Sequence, residues 1–193
     1  MTLAIASIQK DHQRFNALLG CLEAVLENAE NGVPPKNELL EAMIDYIESF
    51  MDRYHHPKED EYLFRVLRKR DPSLESVLNN LREDHYQGRR RLEGVKQALA
   101  EYEEKDPGSL SWLRQTVAEY ITFEREHIGT EEREVLPRAR ESLTHEDWEE
   151  INAAFGENED PLFSDNRQRR FELLFNTIEH MAPPPFGRGE AIA

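Results

Sequence analysis

The feature that most constrains this chain is a pattern that occurs twice. The first half carries "DH" at Asp11 and His12, an apolar-periodic run, a break at "NGVPPK", and then HxxxE at His55 and Glu59. The second half carries "DH" at Asp84 and His85, another periodic run, a break at "KDPGS", and HxxxE at His127 and Glu131. The step from His12 to His55 is 43 residues and that from His85 to His127 is 42, while His55 to His127 and Glu59 to Glu131 are each 72. An internally duplicated helix pair accounts for these intervals.

The runs between the breaks have the helical period. Ile5, Ile8, Phe15, Leu19, Leu22 and Leu26 mark a first helix, ended by Gly32, Pro34 and Pro35. A second runs from about Asn37 to Arg70, with Met43, Ile47, Met51, Leu63 and Leu67 on one face and Asp71-Pro72 at its end. Leu74, Leu78, Leu81, Leu92 and Leu99 mark a third; Leu113, Val117, Tyr120, Phe123 and Val135 mark a fourth. The expected fold is all-α: an up-down-up-down four-helix bundle over residues 1–141. Two additional C-terminal helices follow in residues 142–182, packed on the bundle or at a dimer contact, and residues 183–193 form a flexible tail. Thr144 and Asp147 stand at capping-box spacing before the fifth helix. Pro57 and Pro137 fall inside helical runs, where a missing N–H should kink or widen the helix.

The two halves place their histidines at one height. Each lies about 12 to 20 residues from its turn; for His12 and His55 the climbs are about 26 and 29 Å at the helical rise, and all mismatches are within about one turn. His12, His85 and His127 continue apolar stripes, and the i, i+4 step puts Glu59 over His55 and Glu131 over His127 on the same inward face. Burying two carboxylates without a cation costs several kcal/mol. Two metal ions, each with two histidines and both bridged by Glu59 and Glu131, use every one of these residues. His55 is preferred to its neighbour His56 because Met51, Ile47 and Ile44 precede it on its face, whereas Asp52, Ser49 and Asp45 precede His56. His56 and Asp60, about 100° round the helix, are expected to face solvent or to stand behind the ligands. A third HxxxE, His145 and Glu149, has no partner helix that repeats it and reads as a surface coincidence.

Composition narrows the partners. A net charge of −15 disfavours nucleic acid and anionic membrane surfaces alike. No apolar run approaches the roughly 20 residues that span a bilayer. The opening "MTLAIASIQKDHQRF" has no signal-peptide pattern and the single Cys21 cannot form an internal disulfide, so cytoplasm is the expected compartment.

Taken together, His12, "HHPKEDEYLF", the "DH" of His85 and "HIGTEEREVLP" resemble the hemerythrin-like, or HHE cation-binding, domain, over roughly residues 5 to 140. The resemblance implies a non-haem di-iron centre, two iron ions with an oxo or hydroxo bridge, that meets O2, nitric oxide or peroxide. In oxygen carriers of this family a further histidine lies one turn after the third-helix histidine; here that place is Arg89. The resemblance therefore leans towards bacterial members with sensing, redox or stress-response roles, with both irons keeping an open position. Asp84, Glu132 and Tyr54 are the candidates for a substitute ligand. A peroxide- or nitric-oxide-metabolising enzyme, and an iron store or donor for repair of iron centres, are the alternatives. Ligand type alone admits manganese and zinc beside iron. Gly88, in mid-helix one turn past His85, marks either a small-molecule path or close helix packing.

Overall fold

In the computed structural model, which describes residues 2–30, 32–103, 108–156 and 166–189, the regular structure among the described residues is helical throughout. The first helix, Leu3–Glu30, buries Ile5, Ile8, His12, Phe15, Leu19, Leu22 and Leu26 on one stripe. It stops where Gly32 takes φ 87°. The Gly32 N–H bonds to the Ala29 carbonyl and the Val33 N–H reaches back to Asn28, the paired bonds of a Schellman stop.

The second helix, 37–70, changes pitch along its length. It is α-helical over Asn37–Tyr46, widens to π-helix over Ile47–His55, tightens over His56–Lys58, and widens again over Glu59–Phe64 before closing as Arg65–Arg70. Pro57 sits at the centre of this disturbance: it lacks the N–H for an i→i−4 bond and its ring crowds the carbonyl one turn back. The fourth helix repeats the theme. It runs as Ser109–Thr130, widens over Glu131–Val135, and ends as Leu136–Ser142 with Pro137 in its last part. All three widened segments begin or end on a residue of the HxxxE pairs.

A 3-10 turn, Pro72–Leu74, leads into the third helix, Glu75–Glu103, which packs along the fourth; the fourth also packs on the first. The fifth, His145–Gly156, lies on the first helix. Its start is a reciprocal capping box: the Thr144 N–H donates to Asp147 Oδ2 at 2.9 Å and the Asp147 N–H donates to Thr144 Oγ1 at 3.3 Å. Asn152 Oδ1 accepts from the Ala4 N–H at 2.9 Å, and Lys58 Nζ donates to the Ala154 carbonyl at 2.7 Å. The sixth, Asn166–Met181, sets Phe171 edge-on against Phe50 at 5.1 Å. Within the one chain, the fifth helix therefore packs on the first and the sixth on the second. The tail expected to hang free from Pro183 is tied down through Gly189: the Arg188 and Gly189 N–H groups bond to the Glu179 and Ala182 carbonyls, and the Phe186 ring lies over Gly20. Residues 190–193 lie outside the described residues.

The apolar interior is two clusters rather than one. One gathers Phe15, Leu22, Met43, Ile47, Val95, Leu113 and Tyr120; the other gathers Ile5, Ile8, Leu63, Leu78, Val135, Trp148 and Phe155. Between them on the first helix stand Asp11 and His12, and on the others His55, His56, Glu59, His85, Glu124, His127 and Glu131, all buried. A polar layer thus divides the core.

Candidate metal centre

All six residues singled out by the repeat, His12, His55, Glu59, His85, His127 and Glu131, lie in that layer, each at most 3% exposed. Their arrangement has two sides. His12 and His55 stand edge-on to one another, ring centroids 5.3 Å apart, and His85 and His127 do so at 4.8 Å. Glu59 stands between the pairs, with Oε1 3.3 Å from His55 Nε2 and 3.7 Å from His12 Nε2, and Oε2 3.8 Å from His85 Nε2. Glu131 does the same in mirror fashion: Oε2 is 3.2 Å from His12 Nε2, while Oε1 is 3.4 Å from His127 Nε2 and 3.8 Å from His85 Nε2. Each carboxylate therefore offers one oxygen to each histidine pair.

Nε2 of all four imidazoles, both Glu131 oxygens and Glu59 Oε2 are buried with no hydrogen-bond partner among the described residues. Buried polar atoms are almost always partnered, and seven converging orphans are what a cation site lined by nitrogen and oxygen leaves. Neighbouring donors around an ion held at about 2.1 Å stand about 3 Å apart, close to the separations found here. The donor set fits a pair of divalent ions, and among the groupings that could hold a metal are His12 with His55 and Glu59, and Glu59 with His85 and Glu131.

A family model described as the hemerythrin HHE cation binding domain matches residues 3–139. The chain belongs to this family. No curated protein and no solved structure matches it at a significant level.

In this hemerythrin-like domain an acid from a different helix stands at the outer nitrogen of each of the four histidines. His55 Nδ1 donates to Asp11 at 3.2 Å, so the acid before the first-helix histidine steadies the second-helix one. Asp84, the acid before His85, stands 3.7 Å from His127 Nδ1 as an ionic neighbour. In the other direction, His12 Nδ1 donates to Glu132 at 2.9 Å and His85 Nδ1 donates to Asp60 at 3.1 Å. Glu132 and Asp60 each directly follow a glutamate of the layer. Donation from Nδ1 turns the Nε2 lone pair towards the centre. Asp84 and Glu132, candidates for a substitute ligand, thus stand behind the histidines. Tyr54 accepts from Lys58 Nζ at 2.9 Å and packs on Phe171.

The anionic surroundings mark the titration of the layer. Burial pulls the His55 pKa down, but Glu59 and Asp11 outweigh it and raise it to about 9. For His85, burial is likewise outweighed by Asp60, Glu131 and Glu59, giving about 10. Burial and Glu131 push Glu59 upward, yet His55 and His12 hold it at about 2. The layer demands positive charge, as protons or as metal.

One expectation is corrected. His56 does not face solvent; it is 3% exposed and its ring stacks on His85, centroids 4.3 Å apart and 10° from parallel. Asp52, placed on the same wet face, is 4% exposed. The reason is geometric. The second helix is flanked on two sides, so His55 meets the first helix and His56 meets the third. The π-widened turn also breaks the 100° step on which the wet-face assignment rested. Five imidazoles, not four, therefore enter the layer.

Sequence reasoning also missed Glu124. The inward stripe expected through Phe123 passes through Glu124 instead, which is 1% exposed, while Phe123 is half-buried. Burial pushes Glu124 to about 7; burial together with Glu124 pushes Asp52 to about 7, opposed by the charge of Arg89. The neighbouring Tyr120 hydroxyl opposes this rise, and Glu124 Oε1 is buried without a hydrogen-bond partner among the described residues. A Cβ on Gly88 would come within 2.7 Å of Glu124 Oε1. The glycine makes room for this carboxylate, the close packing that was one of its two readings. The missed signal was that mid-helix glycine, which marks where a neighbour comes close. His145 and Glu149 lie 3.6 Å apart on the surface, with side chains 86% and 70% exposed. No helix among the described residues is long and apolar enough to cross a membrane.

Proposed function

We propose that this chain is a non-haem di-iron protein that binds O2 or a related small molecule, nitric oxide or peroxide, in a sensing or redox stress role. The observation that carries the reading is that Glu59 and Glu131 each turn one oxygen to the His12/His55 pair and the other towards His85 and His127. His12, His55, His85 and His127 would hold the metals through Nε2, with Glu59 and Glu131 bridging. When bound, such a pair supplies two one-electron reductants next to each other and a place for a small ligand.

The chain's own residues do the rest. Asp11, Asp60, Asp84 and Glu132 orient the imidazoles and balance the charge of the cations. The two apolar clusters exclude water above and below the layer, which strengthens every charge interaction inside it. Mixed imidazole and carboxylate donors suit iron. The reading takes an up-down-up-down bundle over 1–141 with 142–182 as its extension, a cytoplasmic setting, and no nucleic-acid or membrane partner; a second copy of the chain is the one macromolecular partner it admits.

The test is anaerobic loading with Fe(II), metal analysis, and an optical titration on admitting air. About two irons per chain and a spectrum that reverses on removing the gas support ligand binding. Irreversible oxidation with turnover of peroxide or nitric oxide favours the enzyme, and ready loss to a chelator favours iron storage or donation. A protein that takes up no metal, and whose stability and spectrum are untouched by His55→Ala and Glu59→Ala, overturns the reading.

A further inference from the structure

The sixth helix does more than cover the bundle. Residues of the first, second and sixth helices line a cleft of about 260 Å³. We propose that this cleft is a second binding site, for a single-ring aromatic acid that carries a phenolic hydroxyl. The inference goes beyond the two-metal reading and stands without it. The family match ends at residue 139, so the wall supplied by the sixth helix lies outside the part of the chain that the family accounts for.

The first helix supplies the polar wall. Ser7, Lys10, Asp11 and Arg14 stand at i, i+3, i+4 and i+7, a spacing that lines them along one face. The facing walls are aromatic: Tyr46 and Phe50 from the second helix, Phe171 and Phe175 from the sixth. These rings brace one another. Phe171 stands edge-on to Phe50 at 5.1 Å, and Phe175 is tilted against Tyr46 at 5.8 Å. Tyr46, Phe50 and Phe171 are buried, so the floor is a set of fixed rings. The volume falls just below the roughly 300–1,000 Å³ of most ligand pockets, which admits one ring rather than a flavin or a nucleotide.

The charged groups are sorted by depth. Lys10 and Arg14 are exposed and stand at the mouth. Arg14 lies over the Phe175 ring at 5.6 Å, and neither cation has a salt-bridge partner among the described residues, Glu172 on the same rim included. In a chain of net charge −15, two such cations above an aromatic floor favour an anion that brings a ring with it. Asp11 lies deeper, 7% exposed, and its Oδ2 already accepts from His55 Nδ1. A carboxylate can accept from several donors, and a phenolic O–H arriving at the floor is one more. A carboxylate at the mouth and a hydroxyl across the ring meet both ends of the cleft in one molecule. An aliphatic anion would leave the rings uncovered, and a neutral ring would leave the cations unused. Asp11 and Phe50 are both neighbours of His55, the Phe50 ring at 6.2 Å, so an occupant of the cleft stands directly behind the metal layer.

The test titrates 4-hydroxybenzoate into the full chain without metal, followed by calorimetry and amide NMR. Binding should saturate with a Kd below about 1 mM, and the shifted amides should cluster around Lys10 to Arg14, Tyr46 to Tyr54 and Phe171 to Asn176. Benzamide with the same hydroxyl, which has no charge, should bind about tenfold more weakly, and benzoate, which lacks the hydroxyl, about threefold more weakly. Arg14→Gln should weaken the hydroxy acid about tenfold, and Phe175→Leu about threefold or more. No binding at millimolar concentration overturns the proposal. So does binding that Arg14→Gln and Phe175→Leu leave unchanged, and so does either analogue binding as tightly as the hydroxy acid. Arg14 is on the surface, so if Phe175→Leu loosens the sixth helix, as judged by circular dichroism, Arg14→Gln and the two analogues still decide. Failure of the metal reading is a separate result: a chain that takes up no iron leaves the cleft untouched, and a cleft that binds nothing leaves the layer untouched.

Discussion

Replacing Gly88 by alanine tests how the layer is packed against the third and fourth helices. In an ordinary exposed helix the change stabilises by about 1 kcal/mol, because glycine has the larger backbone entropy to lose. Here the new methyl would stand 2.7 Å from Glu124 Oε1, well inside contact distance. The carboxylate is buried, so it has no solvent to swing into. Overpacking costs about 1–3 kcal/mol, and forcing the buried carboxyl against apolar neighbours adds the cost of an unsatisfied polar group, about 1–3 kcal/mol. After subtracting the helix gain, Gly88→Ala should destabilise the metal-free protein by about 1–5 kcal/mol, or lower its Tm by several degrees at about 2–4 °C per kcal/mol. The sign should reverse when Glu124 is first shortened to alanine, since the space is then vacant and only the propensity gain of about 1 kcal/mol remains. Urea titrations of the four proteins close a double-mutant cycle, with an expected coupling of about 2 kcal/mol or more. Gly88→Ala stabilising both backgrounds equally would refute the packing argument.

Other outcomes follow from the same geometry. Asp11→Ala should weaken metal retention by about 10–100-fold, because His55 loses its 3.2 Å partner, whereas Asp84→Ala should cost less, its contact with His127 being 3.7 Å; chelator competition ranks them, and equal losses would contradict the difference between the two contacts. Metal ligation needs neutral imidazoles, yet the metal-free His55 and His85 titrate at about 9 and about 10, above pH 7, and so carry protons there. Loading with Zn(II) at pH 7 should release about two protons per chain from this pair, and affinity should climb from pH 7 towards 10 as the release falls; calorimetry in buffers of different ionisation heat measures both, and an affinity flat across that range would contradict it. His145→Ala should change stability by less than about 0.5 kcal/mol and leave metal content alone, since the pair is on the surface.

The six residues of the repeat that meet in the buried layer were legible because their evidence is one-dimensional. A 3.6-residue period assigns the helices, and a 72-residue repeat picks two HxxxE pairs out of three. The disturbance at Pro57 and Pro137 was legible for a covalent reason: proline has no N–H to give. The capping box at Thr144 and Asp147 involves residues three apart and needs no tertiary information.

What only the tertiary structure decided is which way the remaining polar residues face. His56 and Asp52 are hydrophilic by type and follow polar neighbours, and only the approach of the third helix to a widened second helix turns them inward. Glu124 displaces Phe123 from the inward stripe because Gly88 on another helix leaves the volume for it. The partners of the outer nitrogens come from residues 25 to 120 positions away, as with Asp60 for His85 and Glu132 for His12. Periodicity describes one helix around its own axis, so the sequence by itself determined which residues lie along each stripe. How wide that stripe is, and which flank is covered, depends on the neighbours, and it was their packing that brought a fifth histidine into the layer.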